Sequence, residues 1–245
     1  MKNIAIPLKF IASAIFLLVF NLFSLQSFAQ HQENRKTGQF ESISLSVHAD
    51  VYLRQAKTTS LKLEGPSKLL KEVETIVNGS TLKIRFKDRF FRWKSSNEKF
   101  KIYISSPTIR DLRISGSGNI VAETPIETDF AEYTISGSGN IKIADLRADE
   151  IKCSISGSGD IRLKGKDLKE LKARISGSGD IDTHQLKARK VSIQIAGSGD
   201  CKVYASDELK ARVAGSGDIY YYGNPKVDAN AAGSGKIKSM NHKWD

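Results

Sequence analysis

Four aspartates, Asp160, Asp180, Asp200 and Asp218, recur at steps of 18 to 20 residues, and Asn119, Asn140 and Lys236 take the same place in the flanking repeats. Carboxylates in register can do one of two things. They can gather a hard cation such as calcium, which takes oxygen ligands from turns, or they can accept hydrogen bonds from their own corner's backbone N–H groups. Some β-rolls bind calcium through Gly-rich repeats containing Asp. The repeat here is about twice as long as those and lacks the Gly-Gly-x-Gly-x-Asp pattern. Asparagine at two places and lysine at the last suit an acceptor of backbone hydrogen bonds. That role is expected, and no metal ligand is assigned. A second column, Ser117, Ser138, Ser158, Ser178, Ser198, Ser216 and Ser234, could offer hydroxyls to a glycan or merely supply small residues to a tight corner. A nucleophile needs a base and an orienting partner. The four histidines, His31, His48, His184 and His242, do not recur with these serines. No catalytic residue and no cofactor are assigned, and an enzyme is not expected. The glycine-rich turns lead into strands, with no Gly-Lys-Ser/Thr after them, so a phosphate cradle is excluded.

A different chemistry is concentrated in Phe86–Lys101, which carries six basic and two acidic residues. Within it Lys87, Arg89, Phe90, Phe91, Arg92, Trp93 and Lys94 interleave cations with aromatic rings, a pattern that binds anionic polysaccharide, lipid headgroups or nucleic acid. These seven residues are the ligand-binding candidates; the alternative is a hairpin tip whose rings pack on the body of the protein. Cys153 and Cys201 fall in different columns two repeats apart, about 9.6 Å along the stacking direction. That is too far for a disulfide, so both are expected to be buried thiols.

The elements that must position these groups follow from the repeat. Ile-Ser-Gly-Ser-Gly-Asn-Ile at 114–120 recurs from Ile135, Ile155 and Ile175, with looser copies from Ile195, Val213 and Ala231. Gly116, Gly137, Gly157, Gly177, Gly197, Gly215 and Gly233 mark the corners, with spacings of 21, 20, 20, 20, 18 and 18. A fixed period of this size signals a solenoid. Before each corner the apolar residues alternate, as in Ile151, Cys153, Ile155 and in Val191, Ile193, Ile195; after it Ile161 and Leu163 resume the alternation. Period two means strands with one wet face. Each repeat is therefore strand, Gly-Ser-Gly corner, strand and returning loop. The fold class is all-β: a right-handed parallel β-helix of about seven coils, handed by the general crossover rule, with an N-terminal β-rich capping region.

Chain boundaries follow. Lys2 and Lys9 precede the apolar run Phe10–Phe23, and Ser-Phe-Ala at 27–29 has the form of a cleavage site, so 1–29 is expected to be a secretory signal peptide. Residues 30–37 form a linker, 38–112 the cap, 113–238 the β-helix repeats and 239–245 a polar tail. In the cap, Leu45–Val51 is a degenerate copy of the repeat, Pro66–Val73 a short helix and Asn78-Gly79 a turn. No span is expected to cross a membrane after cleavage. The 245 residues carry a formal net charge of +11 and are 40% hydrophobic and 8% aromatic, enough apolar material to exclude wholesale disorder. Two cysteines exclude a disulfide-stapled scaffold.

The secretory signal, Asp-Val-Tyr-Leu at 50–53 with Gln55, Phe-Lys-Ile-Tyr-Ile at 100–104 leading to Pro107, and the repeated Ser-Gly-Ser-Gly-Asn/Asp-Ile together resemble the family of putative auto-transporter adhesins with a head GIN domain, over roughly residues 38–238. The resemblance implies an exported right-handed β-helix of Bacteroidetes-type envelopes, periplasmic, surface-associated or extracellular, with no established enzymatic activity. The chain encodes no barrel resembling a translocator. The expected function is a binding module for an anionic glycan or another envelope component, with no nucleic acid as partner. The alternatives are a structural, self-assembling envelope rod (a homo-oligomer) and, less favoured, a polysaccharide-active enzyme.

Overall fold

The computed structural model describes residues 31–88 and 99–240, so the segment expected to be a signal peptide lies outside the described residues. From Gln32 onward the chain is one compact unit, and the described residues are 70% strand and 3% helix. The strands before the corners are β2 (Ser42–Leu45), β8 (Asp111–Gly116), β11 (Phe130–Gly137), β13 (Glu150–Gly157) and β15 (Leu168–Gly177), then the second halves of β16 (Ile181–Gly197) and β17 (Cys201–Gly215), and finally β19 (Lys226–Gly233). They stack in parallel, in that order. The strands after the corners form a second parallel stack. It runs β3 (Ala49–Gln55), β9 (Asn119–Ala122), β12 (Asn140–Arg147), β14 (Asp160–Gly165), the first parts of β16 and β17, then β18 (Ile219–Tyr222) and β20 (Ile237–Ser239). This is a β-solenoid. Seven corners delimit about six turns, one fewer than the seven coils expected, because the spacing between corners, not the corner itself, is the turn.

The registers fix the interior. Ile114, Ile135, Ile155, Ile175, Ile195 and Val213 pair in succession before the corner, and Ile120, Ile141, Ile161, Ile181, Cys201 and Ile219 after it. Every one of them is buried. β-branched side chains suit such a pleated stack, and each contributes about 1.5–3 kcal/mol on full burial. The segment expected to return as a loop is partly strand. Short pairings such as Ile126↔Leu146, where β10 (Ile126–Glu127) meets β12, and Ala188↔Ala205 make a third side, and Leu146, Leu168, Leu186, Ala188 and Ala205 are buried on it. Register shifts interrupt this side between Ile143 and Leu146 and between Asp182 and Lys187. Those irregularities break the two-residue alternation that would have revealed it in the sequence.

β1 (His31–Asn34) opens the described chain. At the N-terminal end β2 and β3 are a coil without corner glycines: Leu45 stacks on Ile114 and Val51 on Ile120. β4 (Ser60–Gly65), α1 (Ser67–Glu72) and β5 (Val73–Asn78) come next in the sequence, followed by β6 (Thr81–Phe86) and β7 (Phe100–Ser106). β6 and β7 stack in parallel on the outer sides of β2 and β3. β5 and β4 then cover them antiparallel. The chain thus lays down one coil, passes beyond it to build the end, and steps back over it to start the repeats. Antiparallel cover removes the open parallel edge at this end. α1 follows Pro66 and buries Leu69 and Leu70. Arg35 donates to the carbonyls of Leu70, which also accepts the Val73 N–H, and of Val73, at 2.7 and 2.6 Å, which ties the chain after β1 to the helix end. At the other end every residue of β19 is exposed, including Val227.

Cys153 and Cys201 are free and buried. Burial pushes the Cys153 thiol up to about 12 and moves that of Cys201 in the same direction. Neither is a ready nucleophile.

Candidate functional site

The aspartate column is a continuous hydrogen-bond ladder. Asp180, Asp200, Asp218 and Lys236 each donate their backbone N–H to the carboxylate one coil back, on Asp160, Asp180, Asp200 and Asp218, at 3.2, 2.8, 2.7 and 2.8 Å. Asp160 N–H donates to Asn140 Oδ1 at 3.3 Å. The two asparagines continue the ladder through their side-chain amides, Asn140 Nδ2 to Asn119 Oδ1 at 2.8 Å and Asn119 Nδ2 to Asp50 Oδ1 at 2.7 Å. Each acceptor in the column serves a donor on the following coil and not one in its own corner. These bonds clip one turn to the next. Asparagine can stand in the column because its Oδ1 accepts from the following coil while its Nδ2 donates to the residue one coil back, and lysine can end the column because no described coil follows that needs an acceptor. Among the described residues no group of three or more His, Cys, Asp or Glu is placed to hold a metal ion.

Charge in the column is compensated locally. Asp160 meets Arg162 at 2.8 Å. Asp218 accepts from Lys238 Nζ at 2.7 Å, from Lys236 N–H and from the Tyr220 hydroxyl at 2.9 Å. These three donors, the ammonium foremost, hold the Asp218 carboxyl at about 2, below the usual 3.8. A lowered native pKa stabilises the fold fully above the unfolded value and loses that contribution as pH falls toward 2. Urea unfolding from pH 7 to pH 2 is therefore expected to show Asp218→Asn less stable than wild type at neutral pH, with the gap closing between about pH 4 and pH 2. A gap independent of pH would remove the carboxylate from the account.

The serine column is exposed along the corners. Its backbone N–H groups are used: Ser158, Ser178, Ser198 and Ser216 donate to the glycine carbonyl one coil back at 2.8 to 2.9 Å. His184 pairs with Asp182, Nδ1 to Oδ1 at 2.5 Å, with its ring centroid 5.4 Å from that of Tyr222. No described hydrogen bond joins it to a serine, so the nucleophile–base geometry of hydrolases is not assembled there.

Sequence reasoning passed over an aromatic and cationic column on the strands after the corners. Tyr52 stacks on Tyr103, ring centroids 5.2 Å apart, with Lys62 Nζ 4.4 Å from the Tyr103 centroid. Near the other end Lys202 and Lys238 lie 5.9 and 5.1 Å from the Tyr220 centroid. In-register pairing brings these rings and cations face to face along the axis. Ring faces used this way strengthen the stack and are not free to stack on a sugar. The Tyr220-Tyr221-Tyr222 run was the available signal.

Of the seven candidate ligand residues, Lys87 is described, and Arg89, Phe90, Phe91, Arg92, Trp93 and Lys94 lie outside the described residues. Lys87 is exposed, donates its N–H to Glu72 O at 2.9 Å and directs Nζ to Lys71 O at 2.5 Å. Because β6 pairs with β2 and β7 with β3, the segment leaves and re-enters the solenoid where a repeat would carry its corner.

Two hollows lie on the repeats. One, about 510 Å³, sits at the returning side and is lined by Glu127, Asp129, Asp149 and Asp167 together with Arg110, Arg147 and Lys166. Four carboxylates against three cations give it no preference for an anion. The other, about 460 Å³, lies on the strands before the corners, between Arg174 and Asn230.

Comparison with known proteins places this geometry. A family model described as "Putative auto-transporter adhesin, head GIN domain" matches residues 39–225. A crystal structure of a putative adhesin from Bacteroides fragilis is 26% identical, with a TM-score of 0.80, covering 87% of this chain and 98% of that one. A putative lipid binding protein from Parabacteroides distasonis is 27% identical, with a TM-score of 0.71, covering 86% and 97%. A putative adhesin from Parabacteroides merdae, 23% identical with a TM-score of 0.69 and covering 86% and 96%, shares the fold. No curated protein matches.

Proposed function

From the premise that this chain belongs to the putative auto-transporter adhesin, head GIN domain family, we propose that it is an exported, non-enzymatic binding module for an anionic glycan or another component of the bacterial envelope. The observation that carries this reading is the likeness to a putative adhesin along 87% of the chain. The chemistry points the same way. The serines serve corners, the cysteines are buried and protonated, and the His184–Asp182 pair has no described hydrogen bond to a serine. Among the described residues no helix is long and apolar enough to cross a membrane. Cations around the segment from Lys87 to Lys94 would draw an anionic surface polymer, and such attraction weakens with salt.

The test is binding of the purified protein to a panel of anionic envelope glycans at low and high salt, beside a variant with Lys87, Arg89, Arg92 and Lys94 changed to serine. Salt-sensitive binding that the variant loses is the expected result. Absence of binding across the panel overturns the glycan reading. A second reading, a self-assembling rod, is favoured by the fully exposed β19 at the open end; it requires sedimentation to show assembly that grows with concentration and needs no ligand.

A further inference from the structure

The strands before the corners carry a trough that is confined to the C-terminal coils. Its floor is Ser176, Ala196 and Ala214, each directly before a corner glycine and each exposed. Its wall is Arg174, Gln194, Arg212 and Asn230, one residue per coil in continuous register. In the two preceding coils the wall position holds Thr134 and Ser154, too short to form a side. The resulting groove of about 460 Å³ is in the range of small-ligand sites. From Arg174 to Asn230 it spans three coil steps, about 14 Å at strand spacing.

We propose that this trough binds an extended, carboxylate-bearing polysaccharide segment laid along the solenoid axis. The inference rests on the glycan-binding reading above and gives it a second site and a ligand class. The guanidinium of Arg174 can donate to a carboxylate, and planar amides pair with hydroxyls. Both arginines are held in place. Arg174 Nη2 donates to Gln194 Oε1 at 2.6 Å, which fixes two wall residues and leaves the other donors of Arg174 available. Arg212 is clamped: Nη2 lies 2.9 and 2.8 Å from the Asp228 carboxylate oxygens and Nη1 2.9 and 3.0 Å from the carbonyls of Asp228 and Ala211, so its fork is engaged within the protein and it gives the wall charge and a fixed side. A wall ordered beforehand loses little entropy on binding. The charge favours an anion. Lys172 and Lys210 stand two residues before Arg174 and Arg212 on the same outward face, and Lys190 and Lys226 lie in one register column with Glu170 and Glu208, so six cations oppose the three carboxylates of Glu170, Glu208 and Asp228, with Glu170 paired to Lys172 at 3.1 Å. The small floor lets a sugar ring approach the backbone, and the coil period repeats the same polar groups along a polymer.

The experiment is calorimetric titration of the purified protein with oligogalacturonate and with its methyl ester, which keeps the length and removes the charge. Three variants accompany the wild type: R174S/R212S, which removes both guanidinium groups of the wall; A196F, which fills the trough with every charge intact; and the Lys87, Arg89, Arg92, Lys94 serine variant. Thermal unfolding reports whether each is folded, and the two trough variants fail independently. The expected result is tenfold or greater preference for the free acid and a tenfold or greater loss in both trough variants, larger than any loss in the Lys87–Lys94 variant. Binding kept by A196F and R174S/R212S but lost in the Lys87–Lys94 variant overturns the trough and leaves the glycan reading in place. No binding of the free acid by wild type also overturns the trough; the envelope-glycan panel then decides the broader reading by itself.

Discussion

Gly177→Ala is expected to destabilise the protein by about 3 kcal/mol or more in chemical unfolding. Two effects add. Gly177 has φ +131°, a conformation that L side chains rarely adopt. A Cβ there would also meet the carbonyl oxygen of Gly157, one coil back. That oxygen accepts from both Ser178 N–H at 2.9 Å and Gly179 N–H at 3.1 Å, so displacing it costs two inter-coil hydrogen bonds as well as backbone strain. Ser178→Ala supplies the control. Its side chain is exposed and its backbone contact survives, so the change should stay within about 0.5 kcal/mol. A Gly177→Ala protein as stable as that control would mean that the corners are not sterically locked.

The second large effect is expected in the interior, at Ile155. It is 1% exposed and lies in register between Ile135 and Ile175. Its Cγ2 packs where a Cβ on Gly179 would sit, 2.9 Å from that position. The isoleucine column of one coil and the second corner glycine of the next are thus one packing unit. Ile155→Ala should cost about 2–5 kcal/mol through lost burial and the cavity left behind, and Ile155→Val about 0.5–1.5 kcal/mol. Urea unfolding of both variants checks the ratio. The pair also yields a sharper outcome. Adding Gly179→Ala to Ile155→Ala should not restore stability, because the carbonyl of Gly159 still occupies the place of the new Cβ. Rescue by the double variant would show that the side-chain contact alone excludes alanine.

The Ile-Ser-Gly-Ser-Gly-Asn/Asp-Ile repeat determined by itself the solenoid, its corner positions and both interior columns. The reason is that each coil repeats the same local problem, an alternating strand entering a corner that only glycine fits, so local pattern and global stacking coincide. The sequence alone also marked the aspartate column as a set of acceptors, since Asn119 and Asn140 can replace aspartate in a hydrogen bond to backbone. Which donor each one meets was decided by tertiary structure, because the N–H of Asp200 reaches Asp180 only through stacking of residues 20 apart. The same holds for the N-terminal end. Nothing in the order β2, β3, β6, β7 states that the later pair stacks outside the earlier one; the long connection through β4, α1 and β5 makes that placement available. The third side escaped because its register shifts erase the alternation. The wall of the trough escaped for a different reason. Arg174, Gln194, Arg212 and Asn230 differ in type, so no motif links them, and they become one surface only when the coils align them at strand spacing.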